Sequence, residues 1–193
     1  MNFSETFLRY SKNVIDNINF QDIEDIVDIL VEIKDNGGRL FIIGSGGGAG
    51  HASHAVCDFR KLCNIESYAP YDNISELTAR INDDSWESSI VNWLKVSKFN
   101  YNDCLLTISV GGGNVERKIS MNIVNAILYA NEINSKIIGI VGRDGGITNT
   151  YGKTIVIPTI TEDLVTPLTE GFQSIIWHLI VSHPKLKTNQ TKW

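Results

Sequence analysis

The stretch Leu40-Phe41-Ile42-Ile43-Gly44-Ser45-Gly46-Gly47-Gly48-Ala49-Gly50-His51-Ala52-Ser53-His54-Ala55-Val56-Cys57-Asp58 decides the fold. Its first four residues are a short apolar run, the pattern of a strand buried on both faces. The glycines that follow let backbone N–H groups come close to an anion. A helix starting near Ala49 aims its positive end at the same point. Strand, glycine turn and helix in that order predict a phosphate cradle. The departing helix carries His54 and Asp58 four apart, hence on one face. A cradle with an acid/base or metal-binding pair a turn away points to an enzyme acting on a phosphorylated small molecule.

The same alternation recurs outward from this stretch. Cys104 to Ser109 reads as a buried strand closed by Gly111-Gly112-Gly113, and Lys136 to Val141 as another, followed by Gly142-Arg143-Asp144-Gly145-Gly146. Thr154 to Pro158 is a further strand and Glu66 to Ala69 a short one. Helices are expected over Asn73–Ile81, Trp86–Val96, Asn114–Asn131 and Val165–Ser182, and the cradle helix runs to about Leu62. This predicts an α/β protein with a doubly wound, five-stranded parallel sheet. The three glycine segments then share the carboxyl edge of the strands, where such sheets bind ligands. Two amphipathic helices lead the chain, Phe3 to Ile18 and Ile23 to Ile33, the second closed by Gly37-Gly38. Residues 1–37 are read as a helical oligomerisation extension, because these stripes precede the sheet and need something to pack on.

At 193 residues the chain, 1–193, is read as one domain with a single core. A hydrophobic content of 42% and a charged content of 20% are ordinary for a globular protein. A net charge of −5 argues against a nucleic-acid partner. Basic residues gather only at Lys185, Lys187 and Lys192, read as a solvated terminus. Cys57, Cys63 and Cys104 have no metal or redox spacing and fit reduced thiols in the cytoplasm. Residues 1–6 lack the basic and apolar regions of a signal peptide. The longest apolar run, Ile175 to Val181, contains His178 and is far too short for a membrane span.

The first glycine segment is neither a dinucleotide fingerprint, having no clear acidic residue about 20 positions on, nor a P-loop, having no Gly-Lys-Ser/Thr. It is a phosphate cradle or simply a tight strand–helix turn. Ser109-Val110-Gly111-Gly112-Gly113-Asn114 is a second anion-binding turn, or a plain loop with Asn114 as helix cap. His54 and Asp58 are a metal half-site, an acid/base pair, or merely solvated side chains. The last helix shifts that balance. Glu170 and His178, eight apart, share one broad face of a helix whose other face is apolar, where a carboxylate and an imidazole need a reason to be. His51 and His183 are weaker candidates.

These residues together resemble the sugar isomerase (SIS) domain family, and within it the phosphoheptose isomerases, over nearly the whole chain. The family's Gly-Asn-Gly-Gly-Ser turn, with a His and then a Glu four further on, is matched by Gly44-Ser45-Gly46-Gly47-Gly48, His54 and Asp58. Its Asn-Asp is matched by Asn82-Asp83, its Gly-Lys-Asp-Gly-Gly by Gly142 to Gly146, and its last-helix Gln and His by Glu170 and His178. Its serine-rich phosphate loop appears as Ser109 to Asn114 with fewer hydroxyls, so backbone N–H groups must replace them.

The resemblance implies a sedoheptulose 7-phosphate isomerase of a divergent branch, making D-glycero-D-manno-heptose 7-phosphate for heptose biosynthesis. It implies Asp58 and His178 as catalytic acid/base groups. It implies Ser45, Gly46, Gly47, Gly48, Asn82, Asp83, Ser109, Gly111, Gly112, Gly113 and Glu170 as substrate-binding residues. Alternatively it implies His54, Asp58, Glu170 and His178 as a zinc site, one ion per subunit, with no organic cofactor; a group tied to metal is not a free general base, so the two roles compete. The implied assembly is a homotetramer with shared sites. The alternatives are an isomerase of another sugar phosphate and a non-catalytic SIS module that binds a sugar phosphate or a protein partner for regulation.

Overall fold

The computed structural model describes residues 2–191; Lys192, grouped above with the basic end, lies outside them. Two helices come first, α1 (Phe3–Asn17) and α2 (Phe20–Asp35), capped by Asn2 and Asn19, whose side chains accept backbone N–H groups of the first turns. The α/β unit follows as β1 (Leu40–Gly44), α3 (Gly47–Cys63), β2 (Ser67–Tyr68), α4 (Ile74–Asp83), α5 (Ser89–Val96) and β3 (Cys104–Ser109). It continues with α6 (Met121–Glu132), β4 (Lys136–Val141), α7 (Gly146–Tyr151), β5 (Lys153–Val156) and α8 (Val165–Ser182). The strands form one sheet in the order β2-β1-β3-β4-β5, and every pairing is parallel. The expected five-stranded sheet is therefore present.

The strands are buried from both sides. Leu40 and Ile42 of β1 point into a core built with α1, α2, α3 and α8, while Phe41 and Ile43 point into a second core with α5, α6 and α7. Arg39 and Asp103, just before β1 and β3, lock the register between them. Asp103 is almost fully buried and takes Arg39 Nε at 3.0 Å, Arg39 Nη2 at 2.7 Å and the Arg39 and Asn100 backbone N–H groups. The chain leaves β1 toward β2 and returns on its other side to β3. The strand order thus reverses between β1 and β3, the place where a crevice opens in such sheets.

Four readings need correction. The leading helices do not both lack a local partner: Ile23, Ile26, Val27, Leu30 and Ile33 of α2 are buried in the first core. Only Val14 of α1 is buried, and Phe3, Leu8 and Ile15 stay exposed. The helix expected from Asn114 starts at Met121. Asn114 pairs both ways with Ile119 and its Oδ1 accepts the Arg117 N–H at 2.7 Å, a local alternative to helix. The helix expected from Trp86 starts at Ser89, because the hydroxyls of Ser85 and Ser88 close a turn first. α7 falls where the sequence shows only a glycine segment; its six residues are too few to display a period. Among the described residues no helix is long and apolar enough to cross a membrane.

Candidate active site

The three glycine segments follow β1, β3 and β4, so all lie at the carboxyl edge of the sheet. The glycines of the first do different jobs. A Cβ on Gly48 would collide with the Ile108 carbonyl oxygen of β3, and one on Gly44 with the Gly48 backbone. These two glycines let α3 press against the sheet. Gly46 is the N-cap of α3 at φ 57°, a left-handed backbone that favours glycine. A Cβ on Gly47 would lie 2.5 to 2.7 Å from the carboxylate of Glu170, so a carboxylate from α8 sits at the head of α3. The Tyr71 hydroxyl holds the end of β1, accepting the Gly44 N–H at 2.9 Å and donating to the Gly44 carbonyl. Burial pushes the Tyr71 phenol up to about 12, so it stays protonated there.

The second and third segments pack on each other. Gly113 and Gly112 carbonyls accept the Ile147 and Thr148 N–H groups at 3.0 and 3.1 Å, and a Cβ on Gly112 or Gly146 would strike the facing backbone. Gly112 and Gly113 thus serve loop–loop packing, whereas Gly111 meets open space. Between these loops and α8 opens a cleft of about 820 Å³. Ser45, Ser109, Gly111 and Gly113 line it, as the sequence reading expects of an anion site. Arg117, Ser120 and Arg143 line it as well. Those three were not singled out as binding residues.

The acid/base cluster lies lower, in the groove where α3 and α8 pack side by side. His54 Nε2 is 4.0 Å and His178 Nε2 is 3.9 Å from the same atom, Asp58 Oδ2. Ligand atoms of all three residues fall within 4.8 Å of one another. The imidazoles are largely exposed (60% and 47%) while the carboxylate is mostly covered (12%), so the cluster opens outward with its anion at the base. His178 Nδ1 is 2.7 Å from the Ser174 carbonyl oxygen, which has no proton to give. Nδ1 therefore carries the hydrogen, and in the neutral ring Nε2 presents a lone pair toward Asp58. Two acceptors facing each other in this way call for a proton or a cation between them. The buried Trp177 ring packs edge-on against His54, with centroids 4.7 Å apart, and fixes one wall.

Of the four residues expected to converge, the structure brings His54, Asp58 and His178 together. Glu170 stays outside that cluster. It shares the groove with His178 but stands eight residues earlier, about 12 Å of helix rise, against Gly47. Asn82 and Asp83 end α4, a helix with no buried residue; Asn82 donates to Asp83 at 2.8 Å, and neither lines the cleft. His183 faces Glu24 of α2 at 3.5 Å, away from the cluster.

The chain is similar to known proteins over most of its length. The SIS domain family matches residues 2–142. A phosphoheptose isomerase of Geotalea daltonii is 29% identical over 160 residues, covering 80% of this chain and 78% of that protein. The lincomycin biosynthesis protein LmbN of Streptomyces lincolnensis is 29% identical over 159 residues, covering 76% of this chain, and the match spans only 56% of that longer protein. Among solved structures, phosphoheptose isomerase GmhA from Neisseria gonorrhoeae superposes with a TM-score of 0.77 at 20% identity. That overlap covers 93% of this chain and 92% of that one, a likeness of fold.

Proposed function

The chain belongs to the SIS domain family, and from that premise we propose that it is an aldose–ketose isomerase converting sedoheptulose 7-phosphate to D-glycero-D-manno-heptose 7-phosphate. One observation carries the reading: the Asp58 carboxylate stands between two imidazoles on α3 and α8, in a chain whose sheet edge also carries a cleft of hydroxyls, open backbone and arginines. The phosphoheptose isomerase relative supports the choice of substrate.

The chemistry needs one proton to leave C1 of the ketose and one to arrive at C2, while the oxygen protons exchange places through an enediol. No external oxidant or reductant enters. Asp58 is the base that takes the carbon-bound proton. His178 Nε2 is the group that carries protons at the sugar oxygens, with its ring held by the Ser174 carbonyl. Covered below and open above, the cluster fits a sugar lying over the carboxylate.

The same donor set fits a divalent metal. Two imidazole nitrogens and one carboxylate oxygen within 4.8 Å are the three-ligand set of an open zinc site, and the Ser174 carbonyl fixes the tautomer that leaves His178 Nε2 free to ligate. His54, Asp58 and His178 would hold Zn²⁺, one per subunit, which when bound supplies Lewis-acid polarisation of the substrate carbonyl; Asp58 and His178 would then be ligands, so this role competes with the free acid/base pair. Glu170 contributes instead at the head of the groove, where it meets the substrate. The working unit is a homotetramer in the cytoplasm. Phe3, Leu8 and Ile15 on α1 and Ile175 and Leu179 beside His178 on α8 are exposed apolar side chains that neighbouring subunits would cover. The three free cysteines fit a reducing compartment.

Turnover of sedoheptulose 7-phosphate by the protein and by Asp58→Ala and His178→Ala tests the proposal. Both variants should lose roughly a hundredfold or more in kcat. Full activity in both would remove these roles, and no turnover of any sugar phosphate by the unmodified protein would favour a regulatory binding module.

A further inference from the structure

The serine-rich loop that the resemblance leads one to expect has lost most of its hydroxyls, and the head of α3 already faces a carboxylate, that of Glu170. A phosphate seated there would meet a like charge. The cleft beside it offers what is missing. Arg117 and Arg143 both line it, but they are differently engaged: Arg143 Nη1 pairs with Glu162 at 3.4 Å, whereas the Arg117 guanidinium has no hydrogen bond or ion pair among the described residues. Arg117 is nonetheless presented by a built turn. Asn114 and Ile119 exchange backbone hydrogen bonds of 3.0 Å, and Asn114 Oδ1 takes the Arg117 N–H at 2.7 Å.

A second observation points to the same place. Ser109, at the end of β3, is only 5% exposed yet lines the cleft. Its Oγ accepts the Gly112 N–H at 3.2 Å, and its own proton has no acceptor among the described residues. A buried hydroxyl with an unspent proton and an unpaired guanidinium, both lining one cleft, are a donor set for a tetrahedral oxyanion. The acidic residues of the cleft do not oppose it strongly. Glu162 is matched by Arg143, and Asp144 Oδ1 is turned to the Gly146 N–H at 3.1 Å.

We infer that Arg117, carried on the turn between β3 and α6, is the residue that binds the substrate's phosphate and makes the enzyme require a phosphorylated sugar, with the Ser109 hydroxyl donating to the same group. The inference rests on the sugar-phosphate reading given above. A guanidinium supplies two parallel donors in place of the lost hydroxyls.

The test is calorimetric titration of inorganic phosphate into the unmodified protein, Arg117→Gln and Arg117→Lys, with steady-state kinetics on sedoheptulose 7-phosphate alongside. Arg9→Gln, on α1, is the control. Arg117→Gln should weaken phosphate binding and raise KM by roughly 10- to 100-fold, with kcat within about threefold. Arg117→Lys should fall between, keeping the charge but losing the fork. Unchanged phosphate affinity and KM in Arg117→Gln overturn the inference while leaving the isomerase reading intact. An unmodified protein that binds no phosphate overturns it also. Loss of phosphate binding in the variant, in a protein that turns over no sugar phosphate, supports the Arg117 seat and sinks the isomerase reading instead.

Discussion

Gly47 and Gly48 are adjacent in the sequence, yet replacing each by alanine should have opposite consequences. At Gly47 a methyl group would stand 2.5 to 2.7 Å from the Glu170 carboxylate, the far end of a flexible side chain that can swing away by about 1 Å to restore contact distance. Gly47 opens α3, so alanine there also relieves the chain-entropy penalty of glycine, by about 0.5 kcal/mol. Gly47→Ala should therefore leave Tm unchanged or raise it by roughly 1 to 2 °C. Its effect on catalysis should be large: moving Glu170 disturbs the head of the groove, and a displacement near 1 Å can cost roughly a hundredfold in kcat/KM. At Gly48 the obstacle is the Ile108 carbonyl oxygen in the middle of the sheet, which cannot swing away. Gly48→Ala should destabilise by about 1 to 3 kcal/mol, a Tm loss of roughly 2 to 12 °C. Thermal denaturation followed by circular dichroism, with a kinetic assay of the two variants, separates these outcomes. Equal destabilisation by both would refute the packing argument. A stable Gly47→Ala variant with undiminished kcat/KM would remove Glu170 from the working site.

Asp103→Ala should destabilise the chain by about 1 to 3 kcal/mol in urea denaturation, because it leaves several part-buried donors, Arg39 among them, without an acceptor; its KM should not change. Elemental analysis should find about one divalent ion per chain, lost in His54→Ala and falling as pH drops through the imidazole range, since protons compete for the ligand nitrogens. An active protein free of metal would leave Asp58 and His178 as a purely organic acid/base pair. A thiol reagent at pH 8 should label Cys57 quickly and spare the other two cysteines. Burial pushes the Cys63 thiol up to about 11 and Cys104 higher still, so neither supplies thiolate until the pH is far more alkaline. Fast labelling of all three would contradict the core packing.

The fold is written in the sequence as buried strands and amphipathic helices, and those signals survive folding because both sheet faces are covered. The last helix runs from Val165 to Ser182 as its apolar pattern requires. The start of α6 was hidden because Asn114 satisfies a neighbouring N–H through its side chain, a local choice that periodicity does not register. Half of the site was equally legible. Helical spacing puts His54 beside Asp58, and the family motif adds His178 across the groove. Spacing alone could not see that Glu170, on the same face as His178, would fill the space left by a missing side chain at Gly47. Arg117, Ser120 and Arg143 reach the cleft from irregular loops, Ser120 and Arg143 with left-handed backbones at φ 55° and 54°. Only tertiary folding makes those positions neighbours. The shortage of hydroxyls in the phosphate loop was visible in advance, but it points equally to backbone N–H groups, the replacement expected above, and to cations from elsewhere.

The central claim is that Asp58 and His178 move a carbon-bound proton of a ketose phosphate. Proton NMR of sedoheptulose 7-phosphate in D₂O with the enzyme reads this without a coupled reaction. The account predicts that a C1 proton signal of the ketose decays as deuterium enters, that aldose signals appear, and that Asp58→Ala and His178→Ala suppress both changes by roughly a hundredfold or more. Exchange that persists undiminished in both variants, or a ketose phosphate whose C1 protons never exchange with the unmodified protein, would contradict it.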